Sequence, residues 1–210
     1  MSLGPRRGVE DLCAVQSLPR WALKRPVGYA TARLPASRLL NDTLIYLNSN
    51  LMLTVEQRLQ RLEDEAAIRD LVARFADTTT REDYAGFAAL WAPNATFAIN
   101  KPFVNSATGT EAILAMLHKL RDGRDFFVQF VNSGVIELLE NQATARWILH
   151  EAAKSPGEHY YTPYGIFFDE LEKVDGQWLF TRRSFEYLFL NLGPFTGDAH
   201  ELLTKVDGAA

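Results

Sequence analysis

The feature that most constrains this chain is a change of period. Between Thr54 and Leu120 the apolar residues recur mainly every three or four positions, whereas from Phe126 to Leu190 they alternate in long runs rich in Val, Ile, Phe and Tyr. The first pattern lays a stripe along a helix and the second covers one face of a strand. Helices followed by successive strands predict an α+β fold, with helices packed on one face of a curved, mainly antiparallel sheet.

Local signals set the elements. Thr54-Val55-Glu56-Gln57 reads as a capping box, opening a helix whose stripe is Leu59, Leu62, Ala66, Ile68, Leu71, Val72 and Phe75. Its end is predicted at Thr78-Thr79-Thr80, because successive β-branched hydroxyl residues favour leaving a helix. Asp83 is predicted to cap a short helix through Leu90, stopped by Pro93, and a third helix is predicted from Thr110 to Leu120. Strands are predicted over 95–100, 126–139, 143–152, 160–174 and 177–190. Asp175-Gly176 joins the last two and is the strongest hairpin signal in the chain. Gly134 and Gly165 lie within strands, where a bent sheet can bulge.

Charge divides the chain. Residues 1–50 hold seven Lys or Arg against three acids, four prolines and no sustained period, while the other 160 residues are acidic on balance. The boundary is predicted near Met52, giving a poorly structured extension over 1–52, a folded domain over 53–198 and a tail over 199–210. The extension lacks both the apolar stretch of a secretory signal and a clear amphipathic Arg/Ser helix. No apolar run approaches the length of a membrane-spanning helix. Cys13 is the only cysteine, so neither a disulfide framework nor a cysteine metal site is expected, and a cytoplasmic location fits. The net charge of −4, with no basic stripe among the aromatics, argues against nucleic acid and anionic membrane as partners. Gly-rich phosphate loops, nucleophile elbows and dinucleotide fingerprints are missing from the sequence.

Three segments together carry a resemblance: Leu62-Glu63-Asp64-Glu65-Ala66-Ala67-Ile68-Arg69-Asp70-Leu71 with Phe75-Ala76-Asp77; Ala89-Leu90-Trp91-Ala92-Pro93-Asn94-Ala95-Thr96-Phe97; and Phe168-Asp169-Glu170-Leu171 running into Asp175-Gly176-Gln177-Trp178 and Arg182-Arg183. In order and spacing the chain resembles the SnoaL-like branch of the nuclear transport factor 2-like superfamily, over about Leu53 to Asp198. The resemblance implies a cone-shaped α+β barrel enclosing a pocket for a small hydrophobic molecule; no cofactor is expected, nor a metal, because His150-Glu151 opens like a zinc motif but Lys154 stands where the second histidine would be. It also implies assembly as a homodimer or homotrimer. For the enzymes of this branch it implies an acid near the end of the first helix working with a histidine on a facing strand. Those two positions fall on Thr80 and Gln129. Neither side chain titrates near neutrality, so the proton chemistry of the branch does not transfer to them.

Other residues then become candidates. Arg183 matches a pocket arginine of dehydrochlorinase-like members; it is read either as an oxyanion-binding group or as the partner of Asp169 or Glu170. His150 is the histidine considered for catalysis, although by alternation it shares the face of Ile148 and Arg146. Asp77, one turn before Thr80-Arg81, is read as a substitute acid or a solvated helix residue. Tyr84, Tyr160, Tyr161 and Tyr164 can each donate a phenolic hydrogen bond to a bound oxygen, and of these Tyr84 and Tyr164 are expected near the cavity, while Phe75, Trp91, Phe97 and Phe168 are expected to build its wall. Two functions compete: a cofactor-independent lyase or isomerase for a hydrophobic, oxygen-bearing substrate, with Arg183, His150 and Asp77 as catalytic candidates, and a binding or assembly protein that kept the cavity without the dyad. Thr80, Tyr84, Trp91, Gln129 and Tyr164 are the expected ligand contacts in either case.

Overall fold

The computed structural model describes residues 53–157, 159–198 and 200. The expected extension over 1–52 and nearly all of the expected tail lie outside the described residues. Helix α1 spans Val55–Arg81, α2 spans Tyr84–Ala88 and α3 spans Thr110–Arg121. The strands are β1 (Trp91–Ile99), β2 (Asn105–Thr108), β3 (Phe126–Leu139), β4 (Gln142–Ser155), β5 (His159–Val174) and β6 (Gln177–Asn191).

Helix α1 starts with the expected reciprocal cap. Thr54 Oγ1 accepts from the Gln57 backbone N–H at 3.2 Å, and the Thr54 N–H donates to Gln57 Oε1 at 2.9 Å. Leu59, Leu62 and Ala66, three members of the expected stripe, are exposed. Burial begins at Asp64, whose Oδ1 takes hydrogen bonds from Lys173 Nζ and Trp178 Nε1, and continues through Ile68, Leu71, Val72 and Phe75. The threonine triplet nonetheless remains helical, with Thr78 and Thr79 buried and donating their hydroxyls to the Arg74 and Phe75 carbonyls one turn back. The helix ends instead at Glu82, in the left-handed region with φ 62°. Asp83 then caps α2 by accepting from the Gly86 N–H, as expected, but α2 stops at Ala88. Strand β1 takes over from Trp91 and carries Pro93 within its irregular stretch, where a missing N–H costs no ladder bond. Strand β2 was not expected; four polar-leaning residues are too few to show alternation.

The sheet order is β2-β1-β6-β5-β4-β3, antiparallel throughout except for the β1–β6 pair. It is strongly bent but not closed, with β2 and β3 at its edges. Two of its register irregularities fall at the glycines singled out above. Gly134 sits where β3 slips against β4, and a Cβ there would lie 2.0 Å from the Trp147 ring. Gly165 sits where β5 slips against β6, and a Cβ there would meet the Phe185 ring at 2.1 Å. Each glycine admits an indole or phenyl ring against the backbone and lets the strand bend. At the last hairpin Asp175 and Gly176 both have positive φ, the requirement that makes Asp-Gly suitable there.

Helices and the concave sheet face share one core. Phe75 is its centre, with the rings of Phe87, Trp91, Phe97, Phe167 and Phe180 at centroid distances of 5.4 to 6.0 Å. Beyond Phe75, toward the C-terminal end of α1, the packing opens into a cavity.

Candidate functional site

The cavity has a volume of about 500 Å³ and an apolar body made by Phe75, Phe97, Leu117, Phe127, Phe167 and Phe185. Its polar lining is concentrated on α3, the loop that follows it, and strands β3 to β6: Arg121, Arg124, Gln129, Glu151, Tyr161 and Tyr187. Phe103 and Val104, from the turn between β1 and β2, belong to the same lining and are largely exposed. This combination of an apolar enclosure and a few convergent polar groups fits a small-molecule site.

Strand alternation brings Glu151 inward. Ala143, Ala145, Trp147, Leu149 and Ala153 are buried on β4, and Glu151 occupies the same parity. It lies directly opposite Gln129 on β3, whose Nε2 donates to Glu151 Oε1 at 2.6 Å. The other Glu151 oxygen has no hydrogen-bond partner among the described residues. Burial pushes the Glu151 carboxyl above the usual carboxylate range, while the Gln129 hydrogen bond and the Arg124 and Arg121 charges pull the other way. The carboxyl is therefore shifted toward the range in which it can both accept and return a proton.

Beside it, the Tyr161 and Tyr187 hydroxyls are 2.7 Å apart. Burial raises both phenols, and the Glu151 charge adds to the effect, so both remain protonated near neutrality. Whichever hydroxyl donates to the other, one O–H remains to point at a ligand oxygen. Arg124 donates Nε to the Leu120 carbonyl and lies over the Tyr161 ring at 5.4 Å. Arg121 lies over the Phe127 ring at 4.5 Å and gives Nη2 to Glu82 at 2.7 Å.

The residues expected from sequence are distributed differently. Gln129 reaches the cavity, and its backbone N–H donates weakly to Thr80 Oγ1 at 3.4 Å, so the two substituted dyad positions do meet. Arg183 does not line the cavity. It is fully buried behind the Phe75 and Phe167 rings, and its Nε and Nη2 donate to the two Asp169 oxygens at 2.8 and 2.7 Å. Of the two readings offered for Arg183, the geometry is that of the ion pair. His150 lies on the convex face, stacked between Phe130 and Tyr164 at 4.6 and 5.5 Å, because its parity is opposite to that of Glu151. Asp77 points away from the cavity and is chelated by Arg81 at 2.9 and 2.6 Å. Tyr164 and Phe168 also belong to the convex face, Tyr84 stacks on His118 at 3.9 Å, and Trp91 is packed in the core. Neither these four nor Thr80 are on the cavity wall, whereas Phe75 and Phe97 are.

Glu151, Tyr187, Arg121 and Arg124 are the site residues that sequence reading missed, and among the four candidate tyrosines it is Tyr161, not Tyr84 or Tyr164, that reaches the cavity. A signal for Glu151 was present: it is the carboxylate placed on the otherwise apolar parity of β4. Among the described residues, no group of three His, Cys, Asp or Glu side chains converges as a metal site.

Comparison with known proteins follows this geometry. The SnoaL-like domain matches residues 60–184. A scytalone dehydratase-like protein from Novosphingobium aromaticivorans is similar in structure, with 22% identity, TM-score 0.58, and coverage of 67% of this chain and 97% of that chain. Hexachlorocyclohexane dehydrochlorinase LinA-type3 from Novosphingobium barchaimii gives 16% identity, TM-score 0.62, and coverage of 69% and 99%. An NTF2-like protein with a cystatin-like fold from Novosphingobium aromaticivorans gives 23% identity, TM-score 0.55, and coverage of 65% and 92%. A search of curated proteins finds no match.

Proposed function

The chain belongs to the SnoaL-like domain family, and on that premise we propose that it is a cofactor-independent lyase or isomerase in which Glu151 carries the proton. The observation that supports this reading is the Glu151 carboxyl in the cavity wall, one oxygen held by Gln129 and the other left without a partner. Relatives of this fold include a dehydratase-like protein and a dehydrochlorinase, both named for eliminations. An elimination needs a base for a C–H proton and an acid or sink for the departing group.

The residues divide that work as follows. A substrate ketone oxygen accepts a hydrogen bond from the Tyr161–Tyr187 pair, which stabilises the enolate formed when the unbound Glu151 oxygen removes an adjacent C–H proton. If a hydroxyl leaves from the next carbon, Glu151 returns that proton to it and the products are water and a double bond. If the proton returns to a different carbon, the reaction is an isomerisation. Gln129 orients the carboxyl throughout without exchanging protons itself. Phe75, Phe97, Phe127, Phe167 and Phe185 hold an apolar ring system and exclude water.

The test is hydrogen–deuterium exchange at the α-carbon of bicyclic ketones such as 1-tetralone in D₂O, followed by mass spectrometry. The wild type is expected to exceed the buffer rate, and Glu151→Gln to lose about 10²- to 10⁴-fold of that excess, the usual contribution of a general base. Ketones that bind without exchanging would overturn this mechanism. Such a result would favour the second reading, a binding protein, which draws on the non-titrating contact between Thr80 and Gln129.

A further inference from the structure

Charge is distributed unevenly around the cavity. Arg121 is 8% exposed, and its Nε and Nη1 are buried without a hydrogen-bond partner among the described residues. Its Nη2 is occupied by Glu82. Arg124, three residues further along, makes no salt bridge among the described residues; it has only the Leu120 carbonyl and the faces of Phe127 and Tyr161. A half-buried guanidinium with no carboxylate against it is costly, and the neighbouring like charge of Arg121 increases the cost.

Glu151 acts on this charge only through space. It forms no salt bridge with Arg124, and its bound oxygen faces the neutral amide of Gln129. Among the described residues no carboxylate bonds Arg124, the cavity cation that stands beside the Arg121–Glu82 pair. Around these groups the wall is aromatic, so a ligand that satisfies the whole surface has a flat apolar body and one acidic oxygen group.

We propose that the cavity binds an aromatic or polycyclic carboxylate, with the carboxylate held by Arg124 at the end of the cavity near Arg121 and the ring body among Phe75, Phe127 and Phe167. A carboxylate fits better than a neutral carbonyl because it adds a charge opposite to the guanidinium and can accept two parallel N–H bonds from it. The Tyr161–Tyr187 pair remains free for a second oxygen on the same ligand, which is the oxygen the proton chemistry uses. The inference rests on the reading of this cavity as the substrate site and adds the substrate's charge.

The experiment is calorimetric titration of the full chain with two probes of nearly equal shape, 2-naphthoate and the neutral 2-naphthamide, near neutral pH. The naphthoate is expected to bind at least about tenfold tighter. Arg124→Gln should remove that preference, with naphthoate losing more affinity than naphthamide, and a thermal melt close to that of the wild type shows that the variant is folded. Glu151→Gln should tighten naphthoate while it abolishes ketone exchange, since it removes a negative charge from the site. Equal binding of the two probes, no binding of either, or an Arg124→Gln variant that weakens both alike would overturn the inference. A wild type without charge preference but with ketone exchange intact rejects the anionic substrate alone. The reverse pattern rejects the proton carrier alone.

Discussion

Two arginine–carboxylate sets lie on the concave side of the same sheet, and they differ in whether guanidinium and carboxylate bond each other. Arg183 and Asp169 face each other across β6 and β5, joined by two parallel hydrogen bonds and fully removed from solvent. The third guanidinium nitrogen of Arg183 has no hydrogen-bond partner among the described residues, but the group is surrounded by Phe75, Phe167 and Phe180 at 4.0 to 4.2 Å. Nothing in that cluster is left for a ligand. Arg124 and Glu151 share a cavity without bonding to each other, and each keeps capacity toward the empty space between them. Burial and charge are common to both sets; a direct ion pair sealed by aromatic rings makes the structural tie, whereas groups that face a cavity without bonding each other make a site.

The largest expected effect breaks the closed set. Arg183→Met leaves Asp169 charged and buried without its partner, and should destabilise the fold by about 3 to 5 kcal/mol in urea unfolding. Pairing it with Asp169→Leu should recover much of the loss, because removing both charges removes the desolvation cost along with the attraction. A single Arg183→Met variant of wild-type stability would mean that the pair is not what holds these strands together. Its ketone exchange, measured on whatever fraction stays folded, should match the wild type.

A smaller effect of opposite sign comes from the open set. Because burial raises the Glu151 carboxyl, its protonated form is the one the fold favours. The wild type therefore keeps this contribution at low pH and loses it as pH rises from the ordinary carboxylate value of 4.5 through the raised one. Glu151→Gln has no such loss and should be more stable than wild type by about 1 kcal/mol at alkaline pH, with the gap closing in acid. Asp64 runs the other way. Burial pushes it up, but hydrogen bonds from Lys173, Trp178 and Gln60 together hold it below the usual range, so its contribution is lost as pH falls. Thermal melts of the two proteins across pH separate these trends, and a stability gap that widens in acid would contradict the environment assigned to Glu151.

The contrast also explains how far the sequence could be read. Every helix, five of the six strands, the Thr54 cap, the Asp175-Gly176 hairpin and the two bulge glycines follow from local chemistry, because each depends on neighbours a few positions away. The sequence resemblance drew attention to Arg183, which stands at a core parity of β6, and the same parity rule applied to β4 would have drawn attention to Glu151. Parity reports only that a charged residue faces inward. Whether its partner is opposite depends on register, and register here is set by slips at Gly134, Gly165 and between Glu170 and Leu171. Tyr161 and Tyr187 are 26 residues apart in sequence and meet only through that bent register.

The smallest expected effect concerns Asp77, the acid that sequence position alone put forward. Its side chain is about half exposed and is gripped by Arg81 one turn later, which holds the carboxyl below the usual range. A carboxylate kept ionised in this way is a weak proton acceptor near neutrality, and the exposed i, i+4 pair contributes only about 0.5 kcal/mol. Asp77→Asn should therefore shift unfolding by no more than that amount and leave ketone exchange within about twofold of wild type, as expected for an exposed position. His150→Gln, on the convex face, should do the same. If Asp77→Asn instead lowered exchange as far as Glu151→Gln does, the proton would be travelling through the end of α1, and the distinction between the closed and open sets would no longer locate the chemistry.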